Sequence, residues 1–260
     1  MKRDIYFSKP LMNAAGSLGF APAPRAGIAF DTFGAFVTTP LSLRPRLPAA
    51  KPAVIDYPGG FLLHTGLPNP GFKAGLKKYS SKWTRSELPI IVHLMADRPE
   101  ETQRMVRMLE TQENVMAAEL GFAPRLANDI LLLTLEMCLS ELPLIFSLPV
   151  EQVLSLGPRL IQEGAQAISI AAPRGAVSSH REEERSGVKE IITGRLYGHS
   201  LFPQTLEIVY SAVKIGLPII RAGGVWTKEN ADAMLSVGAL AVQVDAALWN
   251  PNSTFSAPAP

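Results

Sequence analysis

The chain has 260 residues, with 25 Lys and Arg against 23 Asp and Glu, a formal charge of +2 and 47% apolar residues. That much apolar material supports a sizeable core and excludes intrinsic disorder, and the near-neutral charge argues against nucleic acid or an anionic membrane as the main partner. One cysteine, Cys138, excludes an intrachain disulfide and a cysteine-based metal cluster; with no transmembrane-length apolar run and no apolar stretch behind the basic start, a cytoplasmic globular protein without a metal site is expected.

Short, largely apolar runs recur along the chain, at 10–15, 34–38, 89–95, 115–120, 143–148, 167–171, 218–222 and 239–244. Lacking the alternation of a one-sided sheet, runs of this length read as strands buried on both faces, the pattern of a parallel sheet covered by helices. Helical spacing is found over 99–110, over 150–163 before Gly164, over 202–214 before Gly216, and over 228–237 between Thr227 as N-cap and Gly238. Eight strands with helices between them predict a closed (β/α)8 TIM barrel over 1–249 as a single domain. Two long connections, 39–88 and 173–201, then fall at the carboxyl ends of strands, where barrels bind their ligands. After the last strand only 246–249 can make a turn, so the closing helix is missing, and 250–260 reads as a disordered tail. Cys138, in the apolar run LLLTLEMCL, reads as a packing residue.

Several stretches resemble dihydroorotate dehydrogenases. LMNAAG at 11–16 is similar to that family's first-strand motif, and FGAFVTT at 33–39 followed by Arg44-Pro45-Arg46 to its second strand and proline-rich segment. GLPNPG at 66–71 matches its substrate-side loop, and GRLYGHSLFP at 194–203 resembles a Gly-Gly-Leu-Ser-Gly segment. PIIRAGGVWTKENADAMLSVGALAVQV at 218–244 matches the seventh strand, its helix and the eighth strand. The resemblance implies an FMN-containing barrel that oxidises dihydroorotate to orotate in pyrimidine biosynthesis. It implies FMN held by Gly16, Thr38, Gly198, Gly223 and Gly224, with His93 as a flavin neighbour, and a substrate loop carrying Gly66, Leu67 and Asn69. The Gly223-Gly224 turn exposes backbone N–H groups at the usual phosphate position of such barrels.

The chain departs from that pattern where the chemistry is done. The loop expected to hold a Cys or Ser base reads Gly121-Phe122-Ala123-Pro124, none of which accepts a proton. The flavin lysines implied by the resemblance are Thr39 and Ser147, and neither hydroxyl supplies a positive charge to a reduced flavin. Asparagines implied at the substrate correspond to Leu63, His93 and Ala172-Pro173. Where a Gly-Thr or Gly-Ser pair would take phosphate stands Asp245-Ala246; a carboxylate facing a dianion there is repelled by about 4 kcal/mol or more at an effective dielectric near 20. Three arrangements answer this: Asp245 turns away, it pairs with a cation such as Arg221, or phosphate does not bind.

No catalytic residue is therefore assigned, and three readings stand. One is a working FMN enzyme with a substitute acid or base, for which Tyr197, His199 and His64 are the candidates, each otherwise a solvated loop residue. Another is a non-catalytic pseudoenzyme serving a partner, either a second copy of the chain in a homo-oligomer or a catalytic paralogue covering the apolar surface left by the missing helix. The third is a barrel for a different small molecule, apolar or phosphate-bearing, at a mouth made apolar by Leu63, Phe122, Ala172 and Pro173. The charge run His180-Arg181-Glu182-Glu183-Glu184-Arg185 reads as a solvated loop face.

Overall fold

The computed structural model describes residues 5–23, 27–182, 189–250 and 252–255, the side chains of 179–182 and 189 apart. Eight parallel strands form the barrel: β1 (Leu11–Asn13), β2 (Phe36–Val37), β5 (Ile90–Met95), β6 (Val115–Gly121), β7 (Leu144–Leu148), β8 (Ala167–Ile170), β11 (Ile219–Ala222) and β12 (Ala241–Val244), in the spatial order β1-β12-β11-β8-β7-β6-β5-β2. All lie within the apolar runs of the sequence, one residue past the end of the run in the case of β6. Helices α1 (Phe72–Thr84), α2 (Pro99–Leu109), α3 (Asn128–Cys138), α4 (Val150–Glu163), α5 (Phe202–Lys214) and α6 (Lys228–Ser236) connect them. The expected stops and starts hold locally: Gly164 caps α4 in the left-handed region, and Thr227 starts α6 with a reciprocal capping box to Asn230. Among the described residues no helix is long and apolar enough to cross a membrane.

Strand periodicity sorts the core into two shells. Met12, Val37, Ile91, Ala117, Ile145, Ala167, Ile220 and Ala241 point inward and fill the lower barrel. Their neighbours, among them Phe36, Val92, Leu120, Phe146, Ile168 and Val244, point outward against the helices. The seam between β1 and β2 is the weak point, since β2 is two residues long and meets β1 through a single bridge, Met12 with Ala35. The Asn13 side-chain amide completes it: Oδ1 accepts from Val37 N at 3.0 Å and Nδ2 donates to Val37 O at 2.7 Å, as a peptide group of a neighbouring strand would.

The two long connections are not loops. They contribute β3 (Ala53–Tyr57), β4 (Gly60–His64), β9 (Arg174–Glu182) and β10 (Lys189–Tyr197), which pair antiparallel in the order β3-β4-β10-β9 as a lid over the mouth. The charge run corrects in the same way: residues 180–182 belong to β9, and 183–185 lie outside the described residues.

The end of the chain also differs from expectation. Ala246–Trp249 form one 3-10 turn, but residues 252–255 are not frayed. Thr254 Oγ1 accepts from Lys228 N at 3.1 Å, and Phe255 is 3% exposed in the same core as Ala247 and Leu248. Residues 251 and 256–260 lie outside the described residues.

Candidate functional site

At the mouth, the inward column of the barrel turns polar. His93 on β5, Glu119 on β6, Ser147 on β7, Ser169 on β8 and Gln243 on β12 each lie two residues beyond an inward apolar side chain, so the strand period places them one layer higher on the same face. All five are buried. His93 Nδ1 lies 2.9 Å from Glu119 Oε2, and Gln243 Nε2 donates to Glu119 Oε1 at 3.2 Å. Burial alone would raise the Glu119 pKa; the hydrogen bond and charge of His93, aided by Gln243, hold it below the ordinary carboxylate value. Ser169 is near enough to add to that pull, although its hydroxyl makes no hydrogen bond of ordinary geometry. Gly121 makes room for this pair, because a Cβ there would stand 2.3 Å from His93 Nε2.

The lid roofs this layer. Arg195 and Tyr197, alternate residues of β10, line the same cleft as His93, Glu119, Gln243 and Asp245. Tyr197 is 6% exposed, so it is not the solvated loop residue expected. Its ring stacks on Phe61 at 5.3 Å and leans on Trp249 at 5.6 Å, and Trp249 Nε1 donates to Ser17 O at 2.9 Å. Burial pushes the Tyr197 phenol above its ordinary pKa against the opposing charge of Arg195.

Asp245 follows β12 at the rim. Its Oδ1 accepts from Ala246 N at 2.6 Å and caps the final 3-10 turn, while its buried Oδ2 has no hydrogen-bond partner. Burial pushes the carboxyl up to about 6, against the Ala246 N–H and the charges of Arg221 and Arg195. Of the three arrangements open from the sequence, direct pairing with Arg221 is not made: among the described residues no ion pair joins them. Arg221 instead donates from Nη1 to the carbonyls of Ile170 and Ala171 at 3.0 and 3.1 Å, and from Nη2 to Thr205 Oγ1 at 2.9 Å. Burial draws its pKa down to about 9, opposed by Asp245.

The residues expected at a cofactor are mostly engaged by the protein itself. Thr38 Oγ1 accepts from His93 N at 3.0 Å. Gly16 lies in the turn after β1 with Pro40 beside it. Gly198 permits a close crossing of the lid strands, since a Cβ there would fall 2.1 Å from Gly59 O. Gly223 and Gly224 have φ of 94° and 73°, a turn L side chains rarely adopt, and a Cβ on Gly224 would stand 2.9 Å from Phe202 N. Gly66, Leu67 and Asn69 do not reach the cleft wall. Asn69 is a clamp: its Oδ1 accepts from Gly71 N at 3.0 Å and Ser42 N at 3.3 Å, and its Nδ2 donates to Leu67 O at 3.2 Å.

The apolar mouth also requires correction. Ala172 lines the cleft, but Leu63 and Phe122 do not, and Phe122 stacks on Phe146 at 5.4 Å in the outer core. His64 sits in β4 away from the cleft wall, and exposed His199 stacks on Trp226 at 4.6 Å. Glu119, Gln243 and Arg195 were not singled out by sequence reasoning. The signal for the first two was present, as single polar residues inside the apolar runs VMAAELG and AVQV.

FMN does not fit this arrangement as folded. The cleft has a volume of about 30 Å³, room for a water or two and not for a three-ring flavin. The rim where phosphate would be held carries the buried Asp245 carboxylate.

Comparison with known proteins gives a consistent picture. Residues 3–122 match the family model for dihydroorotate dehydrogenase, and residues 190–252 that for nitronate monooxygenase. The catalytic subunit of dihydroorotate dehydrogenase B (NAD(+)) from Geotalea uraniireducens is 26% identical over 258 residues, covering 94% of this chain and 84% of that protein. The corresponding subunit from Pelobacter propionicus is 27% identical over 253 residues, covering 92% and 83%. The fold is shared with the crystal structure of DHODH in complex with ferulenol from Eimeria tenella, at a TM-score of 0.73 and 17% identity over 96% of this chain and 78% of that one. The chain is thus similar along nearly its whole length to the dihydroorotate dehydrogenase family and shares its barrel.

Proposed function

We propose that this dihydroorotate dehydrogenase-like barrel no longer oxidises dihydroorotate and has become a pseudoenzyme, a barrel whose mouth takes a small polar molecule. The observation that carries this reading is the closed mouth, in which Tyr197 and Arg195 cover the polar layer and Asp245 puts an unpartnered carboxylate oxygen at its rim. The missing base adds to it, because the chain from Gly121 through Pro124 offers nothing that accepts a proton. The walls favour a ligand with hydrogen-bonding groups over an apolar one. A partner is not required to cover the outer face of β12, since Leu248 and Phe255 pack into that core. The test is an anaerobic assay of purified protein, preincubated with FMN, for reduction of a dye acceptor by dihydroorotate. The rate expected equals that of a protein-free control; turnover that scales with protein concentration contradicts the reading.

A second reading keeps the cofactor, and one observation favours it: the positive-φ turn at Gly223-Gly224 is of the kind that cradles phosphate. FMN would then be held by Gly16, Thr38, His93, Gly198, Gly223 and Gly224 once the lid strands moved aside. A yellow protein with flavin absorbance, not bleached by dihydroorotate, distinguishes a retained cofactor from a retained reaction.

A further inference from the structure

We infer that the chain blocks its own cofactor site, with the Arg195 and Tyr197 side chains of the lid standing where a flavin ring would lie. The inference rests on the reading of a lost reaction given above and adds its physical cause. In Gly194-Arg195-Leu196-Tyr197-Gly198 the resemblance implies Gly-Gly-Leu-Ser-Gly, so the two small positions that have become large are Arg195 and Tyr197. Those two face the cleft. Leu196, the position that is kept, faces the other side of the lid, where it packs against Gly175 closely enough that a Cβ there would stand 2.7 Å from Leu196 Cδ1. Substitution has thus fallen on the inward face of the strand and spared the outward face.

The block is fastened at both ends. Tyr197 is held between Phe61 and Trp249, and its carbonyl accepts from the Tyr57 hydroxyl at 3.1 Å. Arg195 stands directly across the β9–β10 pair from Arg174, so two guanidinium groups share one face of the lid. Like charges in that position repel. The buried Asp245 carboxylate below offers Arg195 a compensating charge. Asp245 therefore acts twice: it disfavours a phosphate at the rim and attracts the arginine that closes the roof.

The experiment is a fluorescence titration of FMN into the whole chain and into folded variants, with circular dichroism as the check on folding. Arg195→Gly with Tyr197→Ser, and the same pair with Asp245→Gly, are expected to bind FMN at least tenfold more tightly than the unaltered protein. Leu196→Ala, on the outward face, is expected to bring no gain, which separates removal of the block from general loosening of the lid. Should the combined variants not fold, Tyr197→Ser alone carries the same expectation. Folded variants that bind FMN no better than the unaltered chain overturn the inference and leave the reading of lost turnover standing. An unaltered chain that binds FMN tightly overturns the inference, and if that complex is also reduced by dihydroorotate the reading of lost turnover falls with it.

Discussion

His93 Nδ1 lies 2.9 Å from Glu119 Oε2, with the two side chains 6% and 2% exposed. This contact accounts for Gly121, because the imidazole fills the space a side chain at 121 would need. Gly121→Ala is expected to cost about 1–3 kcal/mol through overpacking, and the cost should nearly vanish in a His93→Ala background. Urea unfolding of the four proteins of this cycle measures it. Equal losses in both backgrounds would show that the imidazole is not what excludes the methyl.

Asp245 predicts a pH dependence. Its folded pKa is raised to about 6 from an ordinary 3.8, so its favourable contribution to stability is complete below about pH 4 and is lost as pH rises through 6. Asp245→Asn should therefore stabilise the protein progressively between pH 4 and 7, by up to about 3 kcal/mol. Glu119 has the opposite sign: its lowered pKa stabilises above its unfolded value of 4.5 and is lost as pH falls. Comparing unfolding free energies of the variant and the unaltered chain across pH 4–8 isolates the Asp245 contribution; a difference that does not change with pH contradicts it.

Phe255 tests the packing of the chain's end. Buried at 3% exposure, its replacement by Ala should cost about 3 kcal/mol or more in denaturant unfolding. A frayed tail would give a change within about 0.5 kcal/mol.

Cys138 is 2% exposed in α3, and burial pushes its thiol up to about 12. It should stay unmodified by a thiol reagent in the native protein at pH 8 and react stoichiometrically once unfolded. Rapid labelling of folded protein would mean that α3 opens locally.

The barrel was legible because its strands are covered on both faces, so that runs such as Leu144–Leu148 carry a signal independent of what they pair with. The lid was not, for the opposite reason. Leu196 pairs with Leu62 only after the chain has crossed most of the barrel, and β10 mixes charged, small and apolar residues without a clear period. His93 could be picked out on its strand, but its meaning depends on Glu119, 26 residues away and visible only through the register of β5 and β6. The resemblance located the rim at Asp245; that Arg195 and Tyr197 point inward required the strand to be seen.

The central claim, that the mouth is closed against flavin, is tested most directly by an equilibrium titration of FMN with the purified chain, followed by fluorescence and absorbance. The account predicts no saturable quenching and a colourless protein after removal of free FMN. One equivalent of FMN carried through gel filtration by the unaltered chain would contradict it.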